Sequence, residues 1–179
     1  MKNVLFFAGS NNPQSINQKL ITAITVLLVE TKNTVIDLKA YDMPMYSIGI
    51  QNASGAPKLA FQLKQVIDET DYLIISVPEY NGSMPSFFKN ILDWLSRSGP
   101  DYKVFNNKPV ILLSASPGGG GSSVLAHTET VLSRLGAIVK GKIIINNFFK
   151  RTISLENKLH IMDETILNEI QEIIRIMNS

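Results

Sequence analysis

The chain contains no cysteine, and this one absence removes disulfides, thiolate metal sites and thiol catalysis together. Histidine is nearly absent too. His127 and His160 are the only two, and they are too far apart in sequence to form a short His-x-x-x-His ligand pair. A transition-metal site is therefore not expected. No apolar stretch reaches the roughly 20 residues that span a bilayer. The opening Met1-Lys2-Asn3-Val4 runs straight into an apolar run and lacks the layout of a signal peptide, so the expected compartment is the cytoplasm, with no membrane partner. Net charge is only +2 and no basic run or basic helix face stands out, which argues against nucleic-acid binding.

What the chain does have is a length and composition suited to packing. Its 179 residues suit one domain, taken as 1–179, and 45% of them are hydrophobic. Short continuous apolar runs occur at Val4–Ala8, Tyr72–Val77, Pro109–Ser114 and within Lys142–Ile145. Each reads as a strand buried on both faces. Thr34–Leu38 is a more polar strand, as an edge strand would be. Between the runs, apolar residues recur at helical spacing: Ile16, Leu20, Ile24, Leu27 and Leu28 in the first case, Ile166, Ile170, Ile173, Ile174 and Met177 in the last. Pro57 and Pro85 suit the first turn of two further helices, and a fifth is expected from about Ser122 to Leu135. The stretch from about Ala40 to Ala56 reads as a loop long enough to be a functional segment rather than a bare connection.

Strand and helix alternate five times with no repeat and no linker. This is the pattern of an α/β three-layer sandwich: a five-stranded parallel sheet with helices on both faces. Five such units fit the flavodoxin-like strand order 2-1-3-4-5. Right-handed crossovers leave few competing topologies.

Three loops carry the chemistry, and each follows a strand and precedes a helix. In the order 2-1-3-4-5, strands 1, 3 and 4 are neighbours, so these loops should meet at the carboxyl edge beside the switch point. The first loop, Gly9-Ser10-Asn11-Asn12-Pro13-Gln14-Ser15-Ile16-Asn17, crowds hydroxyls and amides at a helix N-terminus, where a phosphate is a natural occupant. A plain reading of the same residues is an N-cap at Ser15 and an ordinary turn. The second, Pro78-Glu79-Tyr80-Asn81-Gly82-Ser83-Met84-Pro85, is a stiff turn able to press main-chain N–H groups against a planar ring, or simply a turn into a Pro-started helix. The third, Ser114-Ala115-Ser116-Pro117-Gly118-Gly119-Gly120-Gly121-Ser122, has four consecutive glycines where backbone would pass close to a ligand. It is not a P-loop, because no lysine follows the glycines. Nor does it fit G-x-G-x-x-G, since Ser123 stands in the third glycine's place.

These segments resemble the NADPH-dependent FMN reductase family, which includes quinone, azo-dye and chromate reductases. The likeness rests on Gly9-Ser10 with Ser15 and Asn17, on Pro78-Glu79-Tyr80-Asn81-Gly82-Ser83 with Pro85, Lys89-Asn90 and Asp93-Trp94, and on Ser116-Pro117-Gly118-Gly119. The Pro-Glu-Tyr-Asn segment is the most specific. The resemblance implies bound FMN, with NADPH or NADH as hydride donor and a small acceptor: a quinone, azo compound, metal oxyanion or free flavin. It implies that Ser10, Ser15 and Asn17 bind the phosphate, with Gly9, Asn12 and Ile16 also at the cofactor site. Pro78, Glu79, Tyr80, Asn81, Gly82 and Ser83 would line the ring and ribityl chain, with Ser116, Pro117, Gly118 and Gly119 approaching from the next loop. Related sequences often carry an arginine in the first loop where this chain has Asn12. The flavin would carry the reaction, so no catalytic acid, base or nucleophile is expected.

The family resemblance also implies a homodimer or homotetramer. The helix Ser86–Arg97 is the expected contact, because Phe87, Phe88, Ile91, Leu92, Trp94 and Leu95 cover a wider arc than the roughly 100° a surface helix needs. The alternative is a helix seated deeply on its own sheet. Two rival functions stay open at this point: a flavodoxin-type electron carrier with no nicotinamide chemistry of its own, and a non-flavin ligand-binding module on the same fold.

Overall fold

The computed structural model describes residues 1–156 and 158–178. Five strands form one parallel sheet: β1 (Lys2–Ala8), β2 (Thr31–Val35), β3 (Tyr72–Ser76), β4 (Pro109–Ala115) and β5 (Ile138–Ile145), in the order β2-β1-β3-β4-β5. The expected topology is thus the observed one. Alternation along each strand explains why both faces are covered. In β1, Leu5 and Phe7 point to one face while Val4, Phe6 and Ala8 point to the other. In β4, Val110 and Leu112 share the first face, and Ile111, Leu113 and Ala115 the second.

The first face is covered by α3 (Lys58–Asp68), α4 (Ser86–Leu95) and α5 (Ser122–Arg134); α1 (Ile16–Thr25) and α7 (Glu164–Asn178) cover the second. Each amphipathic stripe sends its apolar residues inward, as Leu20, Ile21 and Ile24 of α1 do. Ser15 caps α1 by accepting from the Gln18 N–H at 3.2 Å. Burial of each large side chain in these layers is worth roughly 1.5–3 kcal/mol.

Two strand boundaries move from the positions expected. β2 begins at Thr31 and ends at Val35, three residues early, because Asp37 caps a short 3-10 turn (Leu38–Tyr41) that turns Leu38 into the core. β5 begins at Ile138 rather than near Lys142. Its register with β4 slips between Val110 and Ile111, which leaves Lys140 as an extra residue; this bulge hides the period in the sequence. The stretch expected as a long loop from Ala40 to Ala56 holds a short helix, α2 (Ile48–Ser54), capped by Ser47. After β5 come one helical turn, α6 (Phe148–Arg151), and an antiparallel hairpin of β6 (Thr152–Leu155) and β7 (Lys158–Ile161). The hairpin packs on α1.

The apolar arc of α4 is not the free contact surface expected of it. Phe88, Ile91, Leu92, Trp94 and Leu95 are buried within the chain, and only Phe87 of the six is partly exposed. The reason is a latch. The Trp94 indole N–H donates to the Pro44 carbonyl at 2.7 Å, and the Asn90 amide donates to Met43 and Pro44 while accepting from the Tyr46 N–H. The segment before α2 is thereby folded over α4, with the Tyr46 and Trp94 rings packed edge to face.

Candidate functional site

The loops after β1, β3 and β4 do converge. Ser10, Asn12, Gln14, Ser15, Ile16 and Asn17 line one side of a cleft of about 220 Å³ at the carboxyl edge of the sheet. Pro78, Glu79 and Tyr80 line it from the second loop, Ala115, Ser116 and Pro117 from the third. Of the residues singled out in the sequence, ten therefore share one wall-to-wall space. Gln14 and Ala115 belong to it as well; both lie inside the quoted loops, but nothing in their chemistry marked them.

In the first loop, side-chain oxygens meet backbone donors. The Ser10 hydroxyl oxygen accepts from the Asn12 N–H at 3.2 Å, and the Asn12 side-chain carbonyl accepts from the Gln14 N–H at 2.9 Å. With Ser15 accepting from Gln18, three side chains satisfy backbone donors with an oxygen lone pair. Each still holds hydrogens of its own: two hydroxyls and one amide NH2. Among the described residues, the Ile16 and Asn17 backbone N–H groups in the first turn of α1 have no protein acceptor. This is the donor set that suits an anion at a helix N-terminus.

Asn17 does something different. Its side chain is buried; the carbonyl accepts from the Ser76 hydroxyl at 2.6 Å and the Ala115 N–H at 2.9 Å, and the NH2 donates to the Ala115 carbonyl at 3.0 Å. It ties α1 to the ends of β3 and β4, which fixes the cleft's width. Glu79 also holds two loops together. Its carboxylate accepts from the Gly121 N–H at 2.9 Å and the Val124 N–H at 3.2 Å, so it caps α5 from the neighbouring loop.

The remaining sequence candidates border the cleft without lining it. Gly9 is a packing glycine: a Cβ there would stand 2.7 Å from the Phe88 ring. Asn81 and Gly82, at φ 52° and 77°, are the two central residues of a tight turn closed by paired backbone hydrogen bonds between Tyr80 and Ser83. That turn presents Tyr80 to solvent beside the cleft. The Ser83 hydroxyl shares a hydrogen bond of 2.7 Å with Nδ1 of His127, a residue on α5 whose sequence neighbourhood gave no hint of this contact. Gly118 and Gly119 face open space, whereas Gly121 sits at φ 134° with Ile144 only 2.8 Å from where a Cβ would be. Of the four glycines, then, only Gly121 is demanded by the chain's own packing at a strained φ.

Away from the cleft, burial lowers the pKa of Lys108 below the ordinary lysine value, against the opposing pull of Asp68 and Asp71. Its ammonium donates to the Asp68 and Thr70 carbonyls at the end of α3, so it serves the opposite edge of the sheet. Among the described residues no cluster of His, Asp or Glu is placed to hold a metal ion, and no helix is long and apolar enough to cross a membrane.

Residues 2–150 match the family model for NADPH-dependent FMN reductase. The chain belongs to this family. Among curated relatives, a quinone reductase of Escherichia coli K12 is 37% identical over 102 residues, 56% of this chain and 53% of that protein. The match thus spans about half of that relative's length. A 2-hydroxy-1,4-benzoquinone reductase of Burkholderia is 32% identical over 133 residues, 73% of this chain and 70% of that one. Among solved structures, a flavoenzyme NAD(P)H:(acceptor) oxidoreductase from Paracoccus denitrificans superposes with a TM-score of 0.76 at 23% identity, covering 98% of this chain and 94% of that one. This last likeness shows the shared flavodoxin-like fold.

Proposed function

We propose that the chain is an FMN-dependent NAD(P)H oxidoreductase that passes reducing equivalents to a small quinone-type acceptor. The observation that carries this reading is the cleft itself: a helix N-terminus whose Ile16 and Asn17 N–H groups have no acceptor among the described residues, lined by the Ser10, Asn12 and Ser15 side chains and set against two loops that shape a slot beside it. The donor set fits a phosphate monoester. The Ile16 and Asn17 amides and the Ser10, Asn12 and Ser15 side chains would hold the phosphate at the positive end of α1, an interaction worth about 0.3–1 kcal/mol, rising to about 2 where partly buried. They would do so without the arginine that related sequences carry at position 12.

Pro78, Glu79 and Tyr80 on one side and Ser116 and Pro117 on the other would border the ring. Asn17 would hold these walls at their spacing, and Glu79, its charge engaged by α5, would act on the rim rather than on the ligand. Gly118 and Gly119 leave room for close backbone approach. Bound in this cleft, FMN supplies the hydride chemistry, with NADPH or NADH as donor. The chain's residues then have three tasks: to bind the phosphate, to orient the ring and to leave one face open to donor and acceptor in turn. The quinone class is favoured by the likeness to two quinone-type reductases. A homodimer or homotetramer is part of the proposal, with a partner covering the cleft's open side; the buried arc of α4 is not the contact.

The test is direct. Purified chain mixed with FMN should show a perturbed flavin spectrum, one FMN per chain, and FMN-dependent oxidation of NADPH or NADH when 1,4-benzoquinone is added. Parallel double-reciprocal plots are expected. A chain that binds no FMN overturns the reading. One that binds FMN but leaves both nicotinamides unoxidised is an electron carrier instead.

A further inference from the structure

A second cavity lies on the far side of α1. It is a groove of about 630 Å³, nearly three times the volume of the cleft, bounded by α1, α6 and the β6–β7 hairpin. Its size falls in the range of roughly 300–1,000 Å³ typical of small-molecule sites. Only Ile16 is common to both cavities. Five of its lining residues lie in the hairpin, beyond the residues 2–150 that match the family model. One wall of the groove is therefore made by a part of the chain that the family match does not include, and the rest by α1 and α6.

Two features define what would fit. The first is an apolar floor of Ile16, Ala23, Val26, Phe149 and Leu159, in which Val26 and Phe149 are 72% and 68% exposed with nothing of their own chain over them. It runs along α1 from Ile16 to Val26, about 15 Å at 1.5 Å per residue. The second is charge. Lys19, Lys158 and His160 line the groove, and no aspartate or glutamate does. Among the described residues, neither lysine has a carboxylate partner. The acid that follows the hairpin, Asp163, is held by Arg151 at 3.5 Å. Glu156, in the hairpin turn, is exposed and lies outside the lining.

From these we infer that the groove is a second binding site, for an elongated amphipathic anion: an apolar body laid along α1 with one anionic head among the lysines. The inference stands apart from the flavin reading, because the groove shares only Ile16 with the cleft and presents lysines over an apolar floor rather than a helix N-terminus.

Calorimetric titration of the full-length chain with decanoate, with and without saturating FMN, tests it, using 1-decanol as the uncharged counterpart. One decanoate per chain is expected, bound at least tenfold more tightly than decanol and unaffected by FMN. Ala23→Trp fills the groove from α1 and should weaken decanoate at least tenfold. Lys19→Glu, at an exposed position, should weaken decanoate at least fivefold and change decanol less than twofold. Far-ultraviolet circular dichroism and thermal melting report whether each variant folds; if Ala23→Trp does not, Lys19→Glu carries the test alone. Equal affinity for decanoate and decanol, displacement of decanoate by FMN, or wild-type decanoate binding by folded variants would each overturn the inference. So would a concentration-dependent dimer that Ala23→Trp abolishes in a chain that binds no decanoate, since a second copy would then be the occupant.

Discussion

Two of the helices that begin at the carboxyl edge of this sheet, α1 and α5, treat their N-termini in opposite ways. At α5 the free N–H groups of Gly121 and Val124 are met by the chain's own Glu79 carboxylate. At α1 the Ile16 and Asn17 N–H groups have no acceptor among the described residues, and the nearby Ser10, Asn12 and Ser15 side chains offer further donors. Both ends carry the same partial positive charge. One is neutralised internally, so it shapes the rim; the other is kept open, so it can take an external anion. On the proposed reading the phosphate would sit at the α1 end: a dianion near α5 would meet the Glu79 carboxylate, while one near α1 would meet the free Ile16 and Asn17 N–H groups.

The comparison can be broken first at Asn17, where the largest effect is expected. Asn17→Ala leaves the Ser76 hydroxyl and both Ala115 backbone groups buried without partners, at about 1–3 kcal/mol for each unsatisfied group. A total loss of about 3–5 kcal/mol should appear in urea denaturation, together with loss of FMN binding as α1 comes away from the sheet edge. The next test opens the closed end. Glu79→Ala should cost about 1–3 kcal/mol, and inorganic phosphate should then raise the melting temperature more than it does for the wild type. Glu79→Gln keeps an acceptor oxygen and should retain most of that stability.

Closing the open end is the converse experiment. Asn12→Asp places a carboxylate where the phosphate is expected, and should weaken FMN at least tenfold by calorimetry. Without FMN, the same substitution should stabilise the chain by about 0.3–1 kcal/mol. The smallest effect on stability is expected at Gly118, where a Cβ meets nothing within 4 Å. Gly118→Ala should leave stability within about 0.5 kcal/mol, with FMN affinity reporting whether the loop approaches the ring. Gly121→Ala is the contrasting control, since its φ of 134° and the Ile144 contact at 2.8 Å make it costly with or without ligand.

The order and type of the sheet elements were legible because short continuous apolar runs and 3.6-residue stripes are local signals. Val4–Ala8 and Ile166–Met177 announce a two-faced strand and a one-faced helix without help from distant residues. Their ends were less legible. Lys140 hides the start of β5 because a bulge breaks the period, and Leu38 reads as strand although Asp37 turns it into a 3-10 cap.

The site divides along the same line. Sequence alone determined that three donor-rich or glycine-rich turns follow strands 1, 3 and 4, and chain direction in a parallel sheet puts such turns on one edge. Only the tertiary structure decided what each residue there does. Asn17 became a buried tie because Ser76 and Ala115, 59 and 98 residues away, arrive beside it. Glu79 became a cap for a helix it does not precede, and Trp94 a core latch rather than a contact for a second subunit. The physical reason is that a polar group's role is set by its hydrogen-bond partners, and partners distant along the chain exist only once the layers have packed.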